Sequence, residues 1–146
     1  MRKLPIIIAA TLLSTATGLA AAANVEGSRD IQTYQKAAEG AVSSMPATPL
    51  VDWQALDAHT LAVWTANNKP WLVDVSPACQ GLMEASAIRF TSRDNRVTAG
   101  TDELKLGDSS CKVESIRPVD YKQVAQLHHH HMKASRHMAS ITKPVK

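Results

Sequence analysis

The middle of the chain alternates between short apolar runs and turn-forming residues. Trp71, Val73 and Val75 fall on one face of such a run, because successive side chains of a strand point to opposite sides. Ile88 and Phe90 share a face of another run in the same way. The extended runs that this pattern predicts are 60–64, 71–75, 86–92, 97–99, 104–106 and 111–116. Five or six short strands at this spacing predict a small antiparallel meander, open or curled into a partial barrel.

Helical spacing appears on both sides of these runs. Ile31 and Tyr34 lie on one side of a helix that the pattern predicts over residues 28–41. Asp120 with Gln123 three residues later resembles a capping box and predicts a short C-terminal helix. The predicted fold class is therefore mainly β (α+β), with an N-terminal helix before the strands and a short C-terminal helix after them.

The first 23 residues carry the pattern of a secretory signal peptide. Arg2 and Lys3 precede an apolar run over residues 4–13, and small residues follow this run as far as Ala23. A helix of that length spans about 15 Å, whereas the hydrocarbon core of a bilayer measures about 30 Å. We therefore predict cleavage after Ala23, no transmembrane anchor in the mature chain, and a periplasmic or secreted protein.

Charge divides the chain into a body and a tail. A length of 146 residues fits one ordinary domain. The chain has 16 basic and 13 acidic residues, and this small excess of positive charge gives no indication of a nucleic-acid partner. Residues 128–146 hold four basic residues and five of the six histidines but no acidic residue. Two prolines among small polar residues predict a linker at 43–49. We predict an N-terminal helix and linker over residues 24–49, a β-rich domain over 50–127, and over 128–146 a disordered tail that the fold does not need.

Cys79 and Cys111 are the only cysteines, and the predicted export signal directs both to an oxidising compartment. A disulfide between them closes a loop of 33 residues, which stabilises the fold by roughly 3–4 kcal/mol on a chain-entropy estimate. A redox-active or metal-binding pair is the alternative, but the Cys-x-x-Cys spacing typical of such pairs is absent. A structural disulfide is therefore the favoured prediction.

Four stretches around the two cysteines together form one recognisable pattern. They are residues 79–82, residues 87–92, Asp102 with Leu104, and residues 111–120. The pattern resembles a family of small exported bacterial proteins whose function is unknown. The resemblance covers about residues 50–120 and leaves the tail after Leu127 outside. It implies an exported, disulfide-bonded small domain, and it offers no activity or catalytic residue to carry over.

Imidazole and thioether side chains are concentrated in the tail. The candidate metal ligands are His128, His129, His130, His131, Met132, His137 and Met138. Neutral imidazole suits Zn²⁺, Ni²⁺ and Cu²⁺ while thioether sulfur prefers Cu⁺, so copper, nickel and zinc are the candidate cofactors. Two other interpretations stay open. The tail binds metals only incidentally, or it is an expression-vector remnant, which the sequence His-Met-Ala-Ser after residue 136 resembles.

Catalytic patterns find little support in this sequence. It contains no nucleophile elbow, no phosphate loop and no His-Glu-x-x-His motif. His59, with Asp57 and Asp52 nearby, is a candidate general base, but a surface or capping role is favoured for it. Asp102 and Glu103 are interpreted as an exposed acidic turn rather than as paired catalytic carboxylates.

Three tryptophans, Trp53, Trp64 and Trp71, are interpreted as core residues rather than as the lining of a ligand groove. The predicted function is therefore an exported, non-enzymatic accessory or binding protein of the cell envelope. The alternative is a periplasmic transition-metal binding protein that uses the His/Met-rich tail. Beyond metals, the basic tail predicts at most a weak association with an anionic envelope surface.

Overall fold

A computed structural model describes residues 22–66 and 68–141, which form two helices with eight strands between them. The helices are α1 (Ala22–Ala37) and α2 (Tyr121–Ile141). The strands are β1 (Ser44–Pro46), β2 (Asp52–Ala55), β3 (Thr60–Ala66), β4 (Lys69–Val75), β5 (Arg89–Phe90), β6 (Arg96–Thr98), β7 (Glu103–Leu106) and β8 (Ser109–Pro118). The predicted mainly β class, with one N-terminal and one C-terminal helix, is confirmed, and both helices pack on the same face of the large sheet. Nearly all of the predicted signal peptide, residues 1–21, lies outside the described ranges.

Six of the strands form one antiparallel sheet in the order β2-β3-β4-β8-β7-β5, and this sheet curls into a half-barrel. The predicted meander or partial barrel is thus confirmed. β1 and β6 form a separate two-stranded sheet, in which Met45 and Val97 are partners. Both side chains are fully buried in the same core as Leu61 and Val73 of the large sheet. The small sheet therefore packs into the core that the half-barrel forms.

Strand β3 is buried on both of its faces. Leu61 and Val63 point into the inner core of the half-barrel. Ala62 and Trp64 point the other way, into a second core that Tyr34 of α1 and residues of α2 complete. Because neither face meets water, the strand reads as a nearly continuous apolar run rather than as an alternating one.

Cys79 and Cys111 are joined by a disulfide, with their Cα atoms 5.1 Å apart. The bridge connects the loop after β4 to the N-terminal part of β8, and both cysteines are buried in the inner core. The predicted structural disulfide is therefore confirmed. In the described part of the chain, no helix combines the length and the apolar character that crossing a bilayer requires.

Some elements differ from the sequence-based predictions. The predicted linker at 43–49 contains strand β1, because its backbone pairs with β6 and Met45 supplies a buried side chain. Strand β2 has no counterpart among the predicted runs. The run predicted over 86–92 is a strand only at Arg89–Phe90, and α1 ends at Ala37, before the predicted residue 41.

Asp102 is buried, which corrects its interpretation as part of an exposed turn. Only 6% of the residue is exposed. Its carboxylate accepts hydrogen bonds from the Thr91 hydroxyl at 2.9 Å and from the Thr98 backbone N–H at 2.7 Å. Asp102 therefore ties the segment after β5 to the end of β6, a structural role that its partners explain.

Candidate functional site

Helix α2 begins with a capped first turn. Asp120 accepts hydrogen bonds from the Lys122 backbone N–H at 2.9 Å and from Gln123 Nε2 at 3.1 Å, so it caps the helix as predicted. These bonds, that of Gln123 above all, lower the pKa of Asp120. The reciprocal bond of a capping box does not form, because the Asp120 backbone N–H donates to the Ala37 carbonyl at 2.9 Å. One turn later, the fully buried Val124 packs against the sheet. Because residues four apart share a helix face, His128 is directed at the sheet as well.

The helix continues to Ile141, through most of the segment predicted as a disordered tail. Here the structure differs from the prediction, and the contacts of the first histidine give the reason. The imidazole of His128 stacks on the indole of Trp64, with ring centroids 3.7 Å apart and ring planes 15° apart. Tyr121 meets the same indole edge-on, with centroids 6.0 Å apart. The first turn of the predicted tail is thus part of the domain.

Asp52 completes the environment of His128. It faces Trp64 across the β2–β3 pair, so the two side chains lie on the same side of the sheet. Its Oδ2 atom lies 3.0 Å from His128 Nε2. The side chains of Asp52 and His128 are each 17% exposed, so this contact is largely removed from water. Strand β2, through Asp52, and helix α2 together fix the position of the His128 imidazole.

A second imidazole approaches the same carboxylate. His131 lies one helical turn after His128, and its Nε2 atom is 3.8 Å from Asp52 Oδ1. Its side chain is 26% exposed, more than that of His128. Two imidazoles therefore face the two oxygens of one carboxylate, and we name Asp52, His128 and His131 the Asp–His cluster.

Burial controls the protonation of this cluster. Loss of water around the ring lowers the pKa of His128, and the neighbouring His129 and His131 act in the same direction. The negative charge of Asp52 and its hydrogen bond to the imidazole oppose the shift but do not cancel it. His128 is therefore neutral at neutral pH, with one ring nitrogen able to accept a proton or a metal ion.

Tyr34 of α1 lies beneath the cluster. It is fully buried, and its hydroxyl makes no hydrogen bond of good geometry to any described residue. Burial, helped by the negative charges of Asp30 and Asp52, raises the pKa of Tyr34 to about 12, while the nearby Trp64 side chain acts against that rise. The phenol is therefore neutral and serves as part of the apolar support under α2.

Two open cavities flank His131. One, of about 420 Å³, lies between α1, β2 and α2 and is lined by Asp30, Gln54, Leu127 and His131, among others. The other, of about 480 Å³, lies on the far side of His131 and includes Asp52, Trp53, Gln54, Met83 and Ser135 in its lining. Gln54 and His131 line both cavities. The Asp–His cluster therefore borders space that a ligand can enter from solvent.

The predicted metal ligands fall into distinct groups in the structure. His128 and His131 face Asp52, whereas His129 and His130 are exposed and Met132 is half-buried. The side chains of His137 and Met138 lie outside the described part. Across the side chains that the structure describes, no three of the types His, Cys, Asp and Glu already surround a common point as metal ligands do.

The other candidate residues occupy supporting positions. The His59 backbone N–H donates to Asp57 Oδ1 at 2.7 Å, which is a local turn contact. Trp64 is buried beneath α2, and Trp71 packs against the inner core while its Nε1 donates to the Thr65 hydroxyl at 2.9 Å. Trp53 borders the cavity of about 480 Å³. Two of the three tryptophans thus act as the core residues that the sequence analysis favours, and the third lines a groove.

Asp52 is the site residue that sequence reasoning missed. It stands 76 residues before His128, and the strand that positions it was not among the predicted runs. The one available signal was its place directly before Trp53 in an apolar stretch, which does not distinguish it from a surface carboxylate.

The chain was compared with protein families, curated proteins and solved structures. The model of a protein family described as of unknown function (DUF6491) matches residues 2–135. None of the curated proteins matches the chain, and none of the solved structures does. The family match is longer than the predicted resemblance over residues 50–120, and it extends across the four consecutive histidines, 128–131.

Proposed function

The chain belongs to the DUF6491 family of unknown function, and from this premise we propose a non-enzymatic binding or accessory role in the cell envelope. The predicted signal peptide, with its basic start and apolar run, supports export to the periplasm or the medium. The buried Cys79–Cys111 disulfide supports the same location, because such bridges persist in oxidising compartments.

One observation carries the binding role. The two cavities of about 420 and 480 Å³ meet at Gln54 and His131, where α2 crosses the open edge of the sheet at β2. Acidic, amide, imidazole and apolar side chains all line this region, which is the mixed lining that binding sites use. We therefore assign binding to the surface around Gln54 and His131.

The test combines location with site-directed cross-linking in the native host. A photoreactive residue replaces Gln54, and the same residue at the exposed Lys112 on β8 serves as the matched control. We expect the protein in the envelope fraction or the medium, without free thiols, and an envelope component cross-linked from position 54 alone. A cytoplasmic protein with two reduced cysteines would contradict the proposal.

Transition-metal binding is the second candidate function. The specific observation in its favour is the pair of imidazole nitrogens that face one half-buried carboxylate in the Asp–His cluster. Zn²⁺, Cu²⁺ and Ni²⁺ all accept such nitrogen and oxygen ligands. Elemental analysis of protein purified from its own envelope, without a metal-affinity step, tests this function. A stoichiometric metal supports it, and a metal-free protein after isolation in metal-replete medium argues against it.

A further inference from the structure

We infer that Asp52, His128 and His131 form a specific Zn²⁺ site in which the sheet supplies the carboxylate and helix α2 supplies two imidazoles. This inference deepens the second proposed function and rests on it, since it names the ligands and the metal. It also distinguishes a built site from incidental binding by a histidine run, because Asp52 belongs to a different part of the chain.

The distances within the cluster suit this metal. Zn²⁺ binds imidazole nitrogen and carboxylate oxygen at about 2.0–2.2 Å, so neighbouring ligand atoms around a tetrahedral ion lie about 3.3–3.5 Å apart. His128 Nε2 lies 3.0 Å from one carboxylate oxygen of Asp52, and His131 Nε2 lies 3.8 Å from the other. Each nitrogen is therefore within a few tenths of an ångström of that spacing from one oxygen of Asp52, although the two nitrogens face different oxygens.

The cluster still needs one adjustment to become a site. The two imidazoles face different oxygens of Asp52, so the three side chains do not yet surround one point. His131 can supply the movement, because it is the more exposed imidazole and borders open space on two sides. If the ring of His131 shifts toward Asp52 Oδ2, its Nε2 atom becomes the third ligand of an ion that His128 and Asp52 already hold.

The stacking of His128 on Trp64 is compatible with coordination. Stacking uses the face of the imidazole ring, whereas a metal binds a ring nitrogen in the plane of the ring. Trp64 is therefore a positioning residue, which holds Nε2 toward Asp52. Without a metal, Nε2 carries the proton and donates it to the carboxylate; a bound ion would take the place of this proton, and the neutral imidazole would then carry its proton on Nδ1. Two imidazoles and one carboxylate leave the fourth tetrahedral position to water, which the adjacent cavities admit.

The ligand set argues against Cu⁺, and the number of protein ligands favours Zn²⁺ over Cu²⁺ and Ni²⁺. Two nitrogen ligands and one oxygen ligand, without sulfur, do not match the preference of Cu⁺ for thioether or thiolate. The cluster also resembles zinc sites with three protein ligands and one open position, in which the ion needs no more donors from the chain.

The experiment measures Zn²⁺ affinity of the exported chain, purified without a metal-affinity step, by calorimetry against a competing chelator. Asp52→Asn and His131→Asn are the test variants, and His130→Asn is the matched control because His130 is an exposed member of the same run. We expect each test variant to lose at least tenfold in affinity, while the control changes less than twofold. Co²⁺ in place of Zn²⁺ should give the intense visible bands of a tetrahedral ion.

The possible failures separate the site from the function. Equal Zn²⁺ affinity for the parent chain and Asp52→Asn would remove this site and leave incidental binding by the histidine run. No Zn²⁺ binding by the parent chain would remove this site, and no binding of Cu²⁺ or Ni²⁺ either would remove the second proposed function as well. If Asp52→Asn fails to fold, the His131→Asn affinity and the Co²⁺ spectrum of the parent decide, and an octahedral spectrum overturns the inference.

Discussion

The imidazole of His128 covers the indole of Trp64 in a nearly parallel stack, with ring centroids 3.7 Å apart. This contact explains why Trp64, a large aromatic residue on the helix-facing side of the sheet, is only 2% exposed. It also joins the C-terminal helix to β3 through a residue that, in the sequence, looks like the start of a polar tail. The histidine run therefore contributes to the fold before any question of metal arises.

The first prediction is that His128→Ala destabilises the protein. Loss of the aromatic pair and of the contact with Asp52 should lower the free energy of unfolding by about 1–2 kcal/mol. For a domain of this size, that loss corresponds to a fall of roughly 4 °C or more in the thermal midpoint.

His129→Ala is the matched control for this prediction, because His129 is exposed. The thermal midpoint of this variant should equal that of the parent. A chain that stops at Leu127 should also unfold at a lower temperature, contrary to the expectation that the fold does not need the tail. Equal midpoints for the parent and the shortened chain would show that the stack contributes nothing.

The second prediction concerns pH. Burial lowers the pKa of His128, so the unfolded chain takes up the proton more readily than the folded protein does. The buried, neutral imidazole of His128 therefore contributes its full share to the free energy of unfolding at pH values above about 6.5, the pKa of histidine in the unfolded chain. This share is lost as the pH falls from that value through the lower pKa of the folded protein. Thermal midpoints measured from pH 8 to pH 5 should decrease over this range.

The control for the pH prediction replaces the titrating ring by one that does not titrate. In His128→Phe the stack on Trp64 is kept, and the part of the decrease that belongs to His128 should disappear. An identical pH profile for the parent and His128→Phe would assign the effect to other histidines.

The third prediction is that Asp102 stabilises the junction between β5, β6 and β7. Asp102→Ala removes the acceptor of the Thr91 hydroxyl and of the Thr98 backbone N–H. Hydrogen bonds to a charged group contribute about 1.5–3 kcal/mol, and the two donors lose their partner in a buried place, so we expect a loss of about 2–3 kcal/mol.

Urea unfolding measures this loss, with Glu103→Ala as the control. Glu103 pairs with Lys105 at 2.8 Å, but their side chains are 43% and 36% exposed, so water weakens this ion pair and it contributes little. Similar stabilities for the two variants would contradict the role assigned to Asp102.

The fourth prediction is that Cys79 and Cys111 carry no free thiol in the protein isolated from its host and that the bridge is needed for stability. Thiol titration of unreduced, denatured protein should find no reactive thiol. The double variant Cys79→Ala with Cys111→Ala should be less stable by about 2–5 kcal/mol, the range for small exported domains. Gln80→Ala, an exposed neighbour, should behave like the parent.

Local periodicity was sufficient to predict the central strands. Trp71, Val73 and Val75 share the inner face of β4 in the structure, as their alternation predicts. This prediction succeeds because the two-residue period is a property of the strand backbone and does not depend on distant partners. The capped start of α2 at Asp120 was predictable for the same reason, since its partners lie within three residues.

Contacts between distant residues explain what the sequence did not reveal. Met45 lies in a stretch with the composition of a linker, and only its pairing with Val97 makes that stretch a strand. Asp52 and His128 are 76 residues apart, and no local sequence pattern predicts their contact. Asp102 is buried by nearer partners, Thr98 and Thr91, and the acidic pair that it forms with Glu103 in the sequence gives no sign of this burial.

The burial of the disulfide has a consequence for the order of events during maturation. Cys79 and Cys111 are 6% and 3% exposed, in the same core as Met45 and Val97 of the small sheet. Thiol–disulfide exchange requires an incoming thiolate to reach a sulfur atom, and the closed core prevents that approach. An oxidant can therefore join the two sulfurs only while the chain is still open. Once the small sheet has settled into place, the bond no longer responds to the redox state of its surroundings.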